Sequence, residues 1–222
     1  EEFRGQSAQS IDEQVRGRRL FVRLYLSGRG INPNWEINSM IEIRWHGRGG
    51  QGAVTSVELL ALAAIGEGRF AQGFPSFGPE RRGAPVAAFN RVAEERIRVR
   101  SGVYNPDVVV VLDESLVGLV NVAEGLKPDG VLIVNTTKSA KEIRDIVKFA
   151  GRIAIVDATG IAWKELGVPI TNTTMLGALV GVTKVVKFDS LKGPIDHRFG
   201  RIAAKNFTAA KSAHDQVKIY NT

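Results

Sequence analysis

The sequence predicts a three-layer α/β domain whose β-sheet is mainly parallel. From Met40 onward, short β-branched or apolar runs alternate with longer segments of helical periodicity, which is typical of a βαβ fold. The run at residues 107–112 (DVVVVL) is nearly all apolar, as expected for a central strand that is covered on both faces. The length of 222 residues suits one such domain with a tail.

Residues 1–39 differ from the rest of the chain. They are rich in Arg and Gln and show no clear apolar period before Met40. We therefore interpret 1–39 as an N-terminal extension or non-native leader, with Met40 as the natural initiator and 40–222 as the domain. The alternative is that this stretch is a partner-binding arm.

The first predicted elements of the domain are a strand at residues 40–45 and a helix at 51–65. A second strand follows at 69–74, and two short strands around a turn are predicted at 86–92 and 95–99. The last of these alternates apolar residues with arginines, which predicts one solvent-facing side, as at a sheet edge.

The second half of the chain continues the alternation. Buried strands are predicted at residues 107–112, 131–134 and 153–156. Helices are predicted at 116–125, at 141–150, shortly after Thr159, and from about 201 to 217, with a buried helix at 172–186. In such a sheet, the loops at the carboxyl ends of the strands are the expected ligand crevice.

Composition excludes several classes of protein. The chain contains no cysteine, so it has no disulfide, no cysteine-ligated iron-sulfur cluster and no thiol nucleophile of its own. Its three histidines, at positions 46, 197 and 214, lack metal-ligand spacing, so we expect no metal site. Signature motifs of hydrolases, ATPases and metalloproteases are absent, and we name no catalytic residue.

Charge and hydropathy bear on partners and location. The formal charge of +7 favours anionic partners such as nucleotides, coenzyme A or acidic proteins, without selecting one. No apolar stretch approaches the roughly 20 residues needed to span a bilayer, and residues 20–26, interrupted by Arg23, do not form a signal peptide. We predict a cytoplasmic protein that binds neither membrane nor nucleic acid.

A glycine-rich segment lies between the first strand and the first helix, which is the position of a phosphate-binding loop. Its residues are Gly47, Arg48, Gly49, Gly50, Gln51 and Gly52, and three of the glycines match G-x-G-x-x-G in register. Glycines permit close approach of backbone N–H groups and the helix N-terminus to an anion. The alternative is that they only allow tight packing of strand and helix.

A dinucleotide would also need an acidic residue at the end of the second strand to bind the ribose. That strand ends in Gln72-Gly73-Phe74, and Glu67 precedes it. We therefore expect a phosphate or pyrophosphate ligand rather than a nicotinamide or flavin dinucleotide.

A second candidate segment is the loop at residues 74–85. Arg81 and Arg82 could bind phosphate through their guanidinium groups, while Phe74 and Phe77 could cover a ring or a partner surface. The alternative is that Glu80 pairs with a neighbouring arginine and the aromatic side chains fill the core.

Polar residues also follow three later strands. For Asp113 and Glu114, a helix cap is favoured over an acid/base pair. Residues 135–137 and 157–159 are predicted to cap the helices that follow them.

Six segments together resemble the gamma subunit of pyruvate and 2-oxoisovalerate ferredoxin oxidoreductases. They are HGRGGQGA, FPSFGPERRGAP, NPDVVVVLDE, VNTT, VDATGIA and PITNTTMLGALV, in this order between about Met40 and Val186. Each segment alone is common, but the set is specific.

The resemblance implies a complex with alpha, beta and delta subunits that oxidatively decarboxylates a 2-oxoacid. The complex forms acyl-coenzyme A and CO2 and passes electrons to ferredoxin. Thiamine diphosphate, Mg²⁺ and the iron-sulfur clusters would belong to partner subunits. Coenzyme A would contact the loop from Gly47 to Gly52 together with Arg81 and Arg82. A stand-alone NAD(P)-dependent oxidoreductase and a non-catalytic interaction subunit remain the alternatives.

Overall fold

A computed structural model describes residues 40–76 and 83–221, so the predictions for 1–39, Phe77, Arg81 and Arg82 lie outside the described residues. The described residues form a seven-stranded sheet with the order β2-β3-β1-β4-β5-β6-β7. The strands are β1 (Ile41–Arg48), β2 (Phe70–Pro75), β3 (Pro85–Ala93), β4 (Val108–Val111), β5 (Val131–Asn135), β6 (Arg152–Val156) and β7 (Lys218–Tyr220).

The sheet is parallel in its middle and antiparallel at its flanks. Strands β1, β4, β5 and β6 run parallel as neighbours. On one side β3 pairs antiparallel with β1 and β2 with β3, and on the other β7 pairs antiparallel with β6. The predicted α/β class is confirmed, with a mixed sheet whose central strands are the parallel ones.

Helices cover both faces of the sheet, as the three-layer prediction requires. They are α1 (Ala53–Gly66), α2 (Ala140–Val147), α3 (Ala158–Leu166), α4 (Asn172–Thr183), α5 (Lys192–Phe199) and α6 (Ala203–Gln216). Val108 and Val110 of β4 pack into the core under α1, α3, α4, α5 and α6. Val109 and Val111 pack into a second core with α2 and residues 116–126. This strand is therefore buried on both faces, as its apolar run predicts.

The predicted helix at 116–125 is wrong. A short 3-10 turn at Glu114–Leu116 is followed by further turns, although Leu116, Val122 and Leu126 do pack into the core. The side chain of Arg44 donates to the backbone carbonyls of Val122 and Glu124, so this arginine of β1 holds the irregular segment against the sheet.

The predicted strand at 95–99 is also wrong, because residues 96–100 have no regular structure. Strand β3 lies between β2 and β1, so both of its edges are occupied and a further strand cannot pair with it as its hairpin partner. Ile97 is buried while Val99 is exposed, so the two apolar residues of the alternation do not share one buried face.

The other predicted elements are confirmed with small shifts at their ends, whereas α5 and β7 were not predicted. All three residues of β7 are exposed, so they lack the apolar alternation that marks a strand. No helix among the described residues has the length and apolarity to cross a bilayer.

Candidate functional site

The glycine loop lies at the carboxyl ends of the parallel strands, and it is shorter than the sequence motif. Strand β1 continues through Gly47 and Arg48, which pair in register with Val86 and Pro85 of β3. The turn itself therefore consists of residues 49–52.

Two glycines in this turn adopt backbone conformations that other residues rarely take. Gly50 has φ +96° and Gly52 has φ +83°. Gly52 is the N-cap of α1, and no side chain caps this end of the helix. The first amides of α1 therefore lack the side-chain acceptor that usually pairs with them, and they lie at the positive end of the helix dipole.

Backbone hydrogen bonds fix the position of the turn. The Gly49 amide donates to the Ala84 carbonyl at 2.9 Å, and the Gly83 amide donates back to the Gly49 carbonyl at 3.1 Å. Gly83 directly follows Arg82 in the chain. The turn is thus attached to the end of the loop that carries both predicted arginines, whose contact with a phosphate stays a prediction.

The guanidinium group of Arg48 is engaged within the chain. Its Nη2 donates to Ser115 Oγ at 2.7 Å, its Nη1 donates to the Gly83 carbonyl at 2.9 Å, and its Nε lies 3.3 Å from Asp113 Oδ2. These contacts involve Nε, Nη1 and Nη2, so all three nitrogens of the guanidinium group are engaged within the chain. The role that the structure gives Arg48 is to hold the turn against residues 113–115.

The side chain of Gln51 hydrogen-bonds across the same turn. Its Oε1 accepts from the Arg48 amide at 2.7 Å, and its Nε2 donates to Asp113 Oδ2 at 2.6 Å. Both ends of the side chain are used, so this residue also shapes the loop rather than facing a ligand.

Asp113, which directly follows Leu112 at the end of β4, accepts hydrogen bonds from several of these groups. Its Oδ1 accepts from the Ser115 amide at 2.9 Å, which confirms the prediction that it caps the following turn. Partial burial alone would raise the pKa of Asp113. Hydrogen bonds from Ser115 and Gln51 and the charge of Arg48 outweigh burial and hold the pKa below its ordinary value. The carboxylate is therefore ionised and paired.

The ends of β5 and β6 are joined by side chains. Asn135 Nδ2 donates to the Leu112 carbonyl at 2.8 Å, and Asn135 Oδ1 accepts from the Thr159 amide at 3.1 Å. Thr136 Oγ1 donates to Glu114 Oε2 at 2.5 Å, and Glu114 also pairs with Lys138. This network holds the loops at the carboxyl edge of the sheet in fixed positions.

One of the two predicted helix caps is confirmed. Asp157 caps α3 by accepting from the Gly160 amide at 2.8 Å. Residues 135–137 do not cap α2, because Ser139 does so in a capping box with Glu142.

The start of α4 was not predicted as part of the site. A methyl group at Gly52 would lie 2.6 Å from Asn172 Nδ2, so glycine leaves the space that Asn172 occupies. Ser56 Oγ of α1 donates to the Asn172 carbonyl at 3.1 Å. The N-terminal ends of α1 and α4 are therefore adjacent. The available signal was the polar run at 171–174, which forms the N-cap and first turn of an otherwise apolar helix.

Glu67 and Phe74 lie near the place where a dinucleotide would need a ribose-binding acid, and both make contacts within the chain. Glu67 Oε1 accepts from the Lys187 amide at 2.6 Å, which holds α1 to the chain after α4. The ring of Phe74 lies 5.3 Å from that of Phe89, and the Arg91 guanidinium stacks on it at 5.3 Å. Phe74 is therefore packed against its neighbours, which favours the packing alternative for this residue. In the described ranges, no three His, Asp or Glu side chains are grouped to hold a metal ion.

An α/β domain with a glycine turn that leads into an uncapped helix presents backbone donors and a positive helix end at the carboxyl edge of its sheet, a geometry that favours an anionic ligand. A sequence model described as pyruvate ferredoxin/flavodoxin oxidoreductase matches residues 42–216. The chain belongs to this family, as the gamma subunit of a multi-subunit 2-oxoacid:ferredoxin oxidoreductase of the pyruvate synthase type.

Individual relatives agree with this assignment. The common gamma subunit of pyruvate/ketoisovalerate oxidoreductases from Thermococcus kodakarensis is 52% identical over 183 residues, which cover 82% of this chain and 99% of that protein. The crystal structure of the pyruvate oxidoreductase subunit PORC from Thermotoga maritima superposes with a TM-score of 0.75 at 42% identity, covering 82% of this chain and 99% of that one.

A more distant structure shares the fold alone. The 2-oxoglutarate:ferredoxin oxidoreductase from Magnetococcus marinus, solved with 2-oxoglutarate, coenzyme A and succinyl-CoA, has a TM-score of 0.65 at 22% identity. The match covers 79% of this chain and 30% of that chain.

Proposed function

We propose that this chain holds coenzyme A for a complex that converts a 2-oxoacid and coenzyme A into acyl-coenzyme A and CO2. The two electrons released pass to ferredoxin. The observation that carries the proposal is the uncapped start of α1 behind Gly50 and Gly52, where backbone donors and the helix dipole face the carboxyl edge of the sheet.

Coenzyme A suits this edge better than a dinucleotide does. Its pyrophosphate needs backbone and guanidinium donors, whereas a dinucleotide also needs an acid for the ribose. Glu67, the acid with the nearest spacing, is bonded to the Lys187 amide. The distant structure from Magnetococcus marinus was solved with coenzyme A, which supports a coenzyme A complex on this fold.

The remaining chemistry belongs to partners in this proposal. The chain has no cysteine with which to ligate an iron-sulfur cluster. Alpha, beta and delta subunits would supply thiamine diphosphate, Mg²⁺ and the clusters, and ferredoxin would accept the electrons. The contribution of this chain is to position the thiol of coenzyme A, and it needs no catalytic residue of its own. The cytoplasmic location stays a prediction.

The glycine turn is tested by Gly50→Ala in the purified complex. A methyl group at Gly50 meets nothing within 4 Å, but φ +96° is strained for alanine, so the turn should shift without steric collision. We expect the Michaelis constant for coenzyme A to rise roughly tenfold with little change in the rate at saturation.

The matched control is Gly167→Ala at the end of α3. This glycine also has a positive φ, of +75°, and open space around it, so the substitution carries similar strain away from the turn. Its kinetics should equal those of the unmodified complex. An intact Gly50→Ala complex with an unchanged Michaelis constant for coenzyme A would contradict the placement of the ligand at this turn.

Arg82→Ala examines the second predicted segment. Charge-assisted contacts contribute on the order of 1.5 to 3 kcal/mol, so loss of one should weaken coenzyme A binding roughly ten- to a hundredfold. Size-exclusion chromatography first establishes that the variant complex is intact. Unchanged coenzyme A binding in an intact complex would remove Arg82 from the site, and dissociation of the complex would place it at a subunit interface.

A further inference from the structure

We infer that Asn172 is a second binding residue for coenzyme A, whose side-chain amide donates to the pyrophosphate between the starts of α1 and α4. The inference deepens the proposed function and rests on it. It adds a residue on a different helix, far along the chain from the glycine turn.

The first argument is the orientation of the Asn172 side chain. Its Oδ1 accepts from the Thr173 amide at 2.8 Å, which fixes which end of the carboxamide is oxygen. The Nδ2 group therefore lies on the opposite side and is directed at Gly52, where the position of a Cβ atom would be 2.6 Å away.

The second argument is that this amide belongs to a nearly buried residue and donates to none of the described residues. Only 5% of Asn172 is exposed. Among residues 40–76 and 83–221, Nδ2 has no hydrogen-bond acceptor. A ligand oxygen at the start of α1 would supply the missing acceptor.

The third argument is the charge expected of that ligand. Neither N-cap residue, Gly52 for α1 or Thr171 for α4, caps its helix with a side chain, and the bond from Ser56 Oγ to the Asn172 carbonyl holds the two helix starts together. Two adjacent positive helix ends favour an anion with several charged oxygens. The nearby carboxylate of Asp113 is paired with Arg48 and Gln51, which reduces its repulsion of such an anion.

The alternative is that Asn172 has a purely structural role, and this alternative predicts different effects of substitution. In that case the side chain serves only as the acceptor for the Thr173 amide, which aspartate can replace. Asn172→Asp therefore keeps the structural contact, removes the N–H donors and places a negative charge where the phosphate would lie. Asn172→Ser is a neutral second variant whose hydroxyl can still accept from the Thr173 amide.

The experiment measures binding to the purified complete complex by isothermal titration calorimetry. The ligands are coenzyme A, 3′-dephospho-coenzyme A and pantetheine, which lacks phosphate. We expect Asn172→Asp to weaken binding of the first two roughly ten- to a hundredfold and to leave pantetheine unchanged. Asn172→Ser should weaken binding in the same direction by less. Asn221→Asp adds the same charge at an exposed position and should behave like the unmodified complex.

The outcomes separate this inference from the proposed function. If Gly50→Ala weakens coenzyme A binding while both Asn172 variants bind normally, Asn172 is not a ligand residue and the proposed function stands. If neither position affects binding, both proposals are overturned. If pantetheine is lost as strongly as coenzyme A, the assignment to the pyrophosphate is wrong. Failure of Asn172→Asp to assemble leaves Asn172→Ser as the decisive variant.

Discussion

His46 illustrates how one residue depends on its immediate neighbours. It lies on β1, three residues before the turn at 49–52, and Arg44 Nε donates to its Nε2 at 3.0 Å. Burial, and then the charge of Arg44, lower the pKa of His46 to about 4. The imidazole is therefore neutral at neutral pH, which is the form that can accept this hydrogen bond.

The lowered pKa predicts a loss of stability in acid. Since the folded pKa lies below the ordinary value of about 6.5, the contribution is complete above pH 6.5 and is lost as pH falls toward 4. The free energy of unfolding should fall by up to roughly 3 kcal/mol over this window because of His46.

Urea unfolding of the purified subunit at a series of pH values measures this loss. His46→Gln should flatten the curve between pH 6.5 and 4, and the exposed His197→Gln should leave it unchanged. Parallel curves for the subunit and His46→Gln would contradict the assignment.

At the scale of elements, the segment 114–126 takes its shape from a contact with a distant strand. Arg44 of β1 is buried, and its Nη2 donates to the Val122 carbonyl at 3.0 Å and to the Glu124 carbonyl. Positive φ at Gly125 then ends the segment. The local sequence has apolar residues at helical spacing, but Leu116, Val122 and Leu126 reach the core from a chain of turns that Arg44 holds at two carbonyls.

Removing this contact should loosen the segment. Arg44→Met keeps much of the apolar stem while leaving the two carbonyls without their donor, so we expect a loss of about 2 to 4 kcal/mol in the free energy of unfolding. Hydrogen exchange in residues 116–126 should also become faster.

Arg152→Met is the control, because Arg152 makes a single exposed bond to the Asp129 carbonyl at 2.7 Å. It should cost less than about 1 kcal/mol. Equal effects of the two substitutions would show that Arg44 does not hold the segment.

The difference between local signals and contacts across long sequence distances explains what the sequence could predict. Strand β4 was predicted because its apolar run reflects burial on both faces, which is a local signal. The failed strand at 95–99 depended on whether β3 had a free edge, and β2 had already paired with it. In the site, the glycine turn was predicted from local spacing. Asn172 was missed because its contact with Gly52 joins residues distant in sequence.

At the scale of the whole molecule, the sheet gathers polar loops at the carboxyl ends of its parallel strands. Parallel β1, β4, β5 and β6 bring their carboxyl ends together, so loops that are far apart in the chain share one hydrogen-bond network. Large apolar side chains at Trp163, Ile170 and Ile202 remain exposed in the isolated chain. The assignment of residues 1–39 as a leader stays a prediction.

The division of labour between this edge and the partner subunits leads to a prediction for the isolated chain. With pyruvate, coenzyme A and a viologen dye, the purified chain should show no dye reduction, because it has no cysteine to hold an iron-sulfur cluster. Adding the other subunits should restore the activity. A complex reconstituted without this chain should lose coenzyme A-dependent turnover. Dye reduction by the chain alone would contradict the assignment of the redox centres to partners, and full turnover without the chain would make it a dispensable interaction subunit.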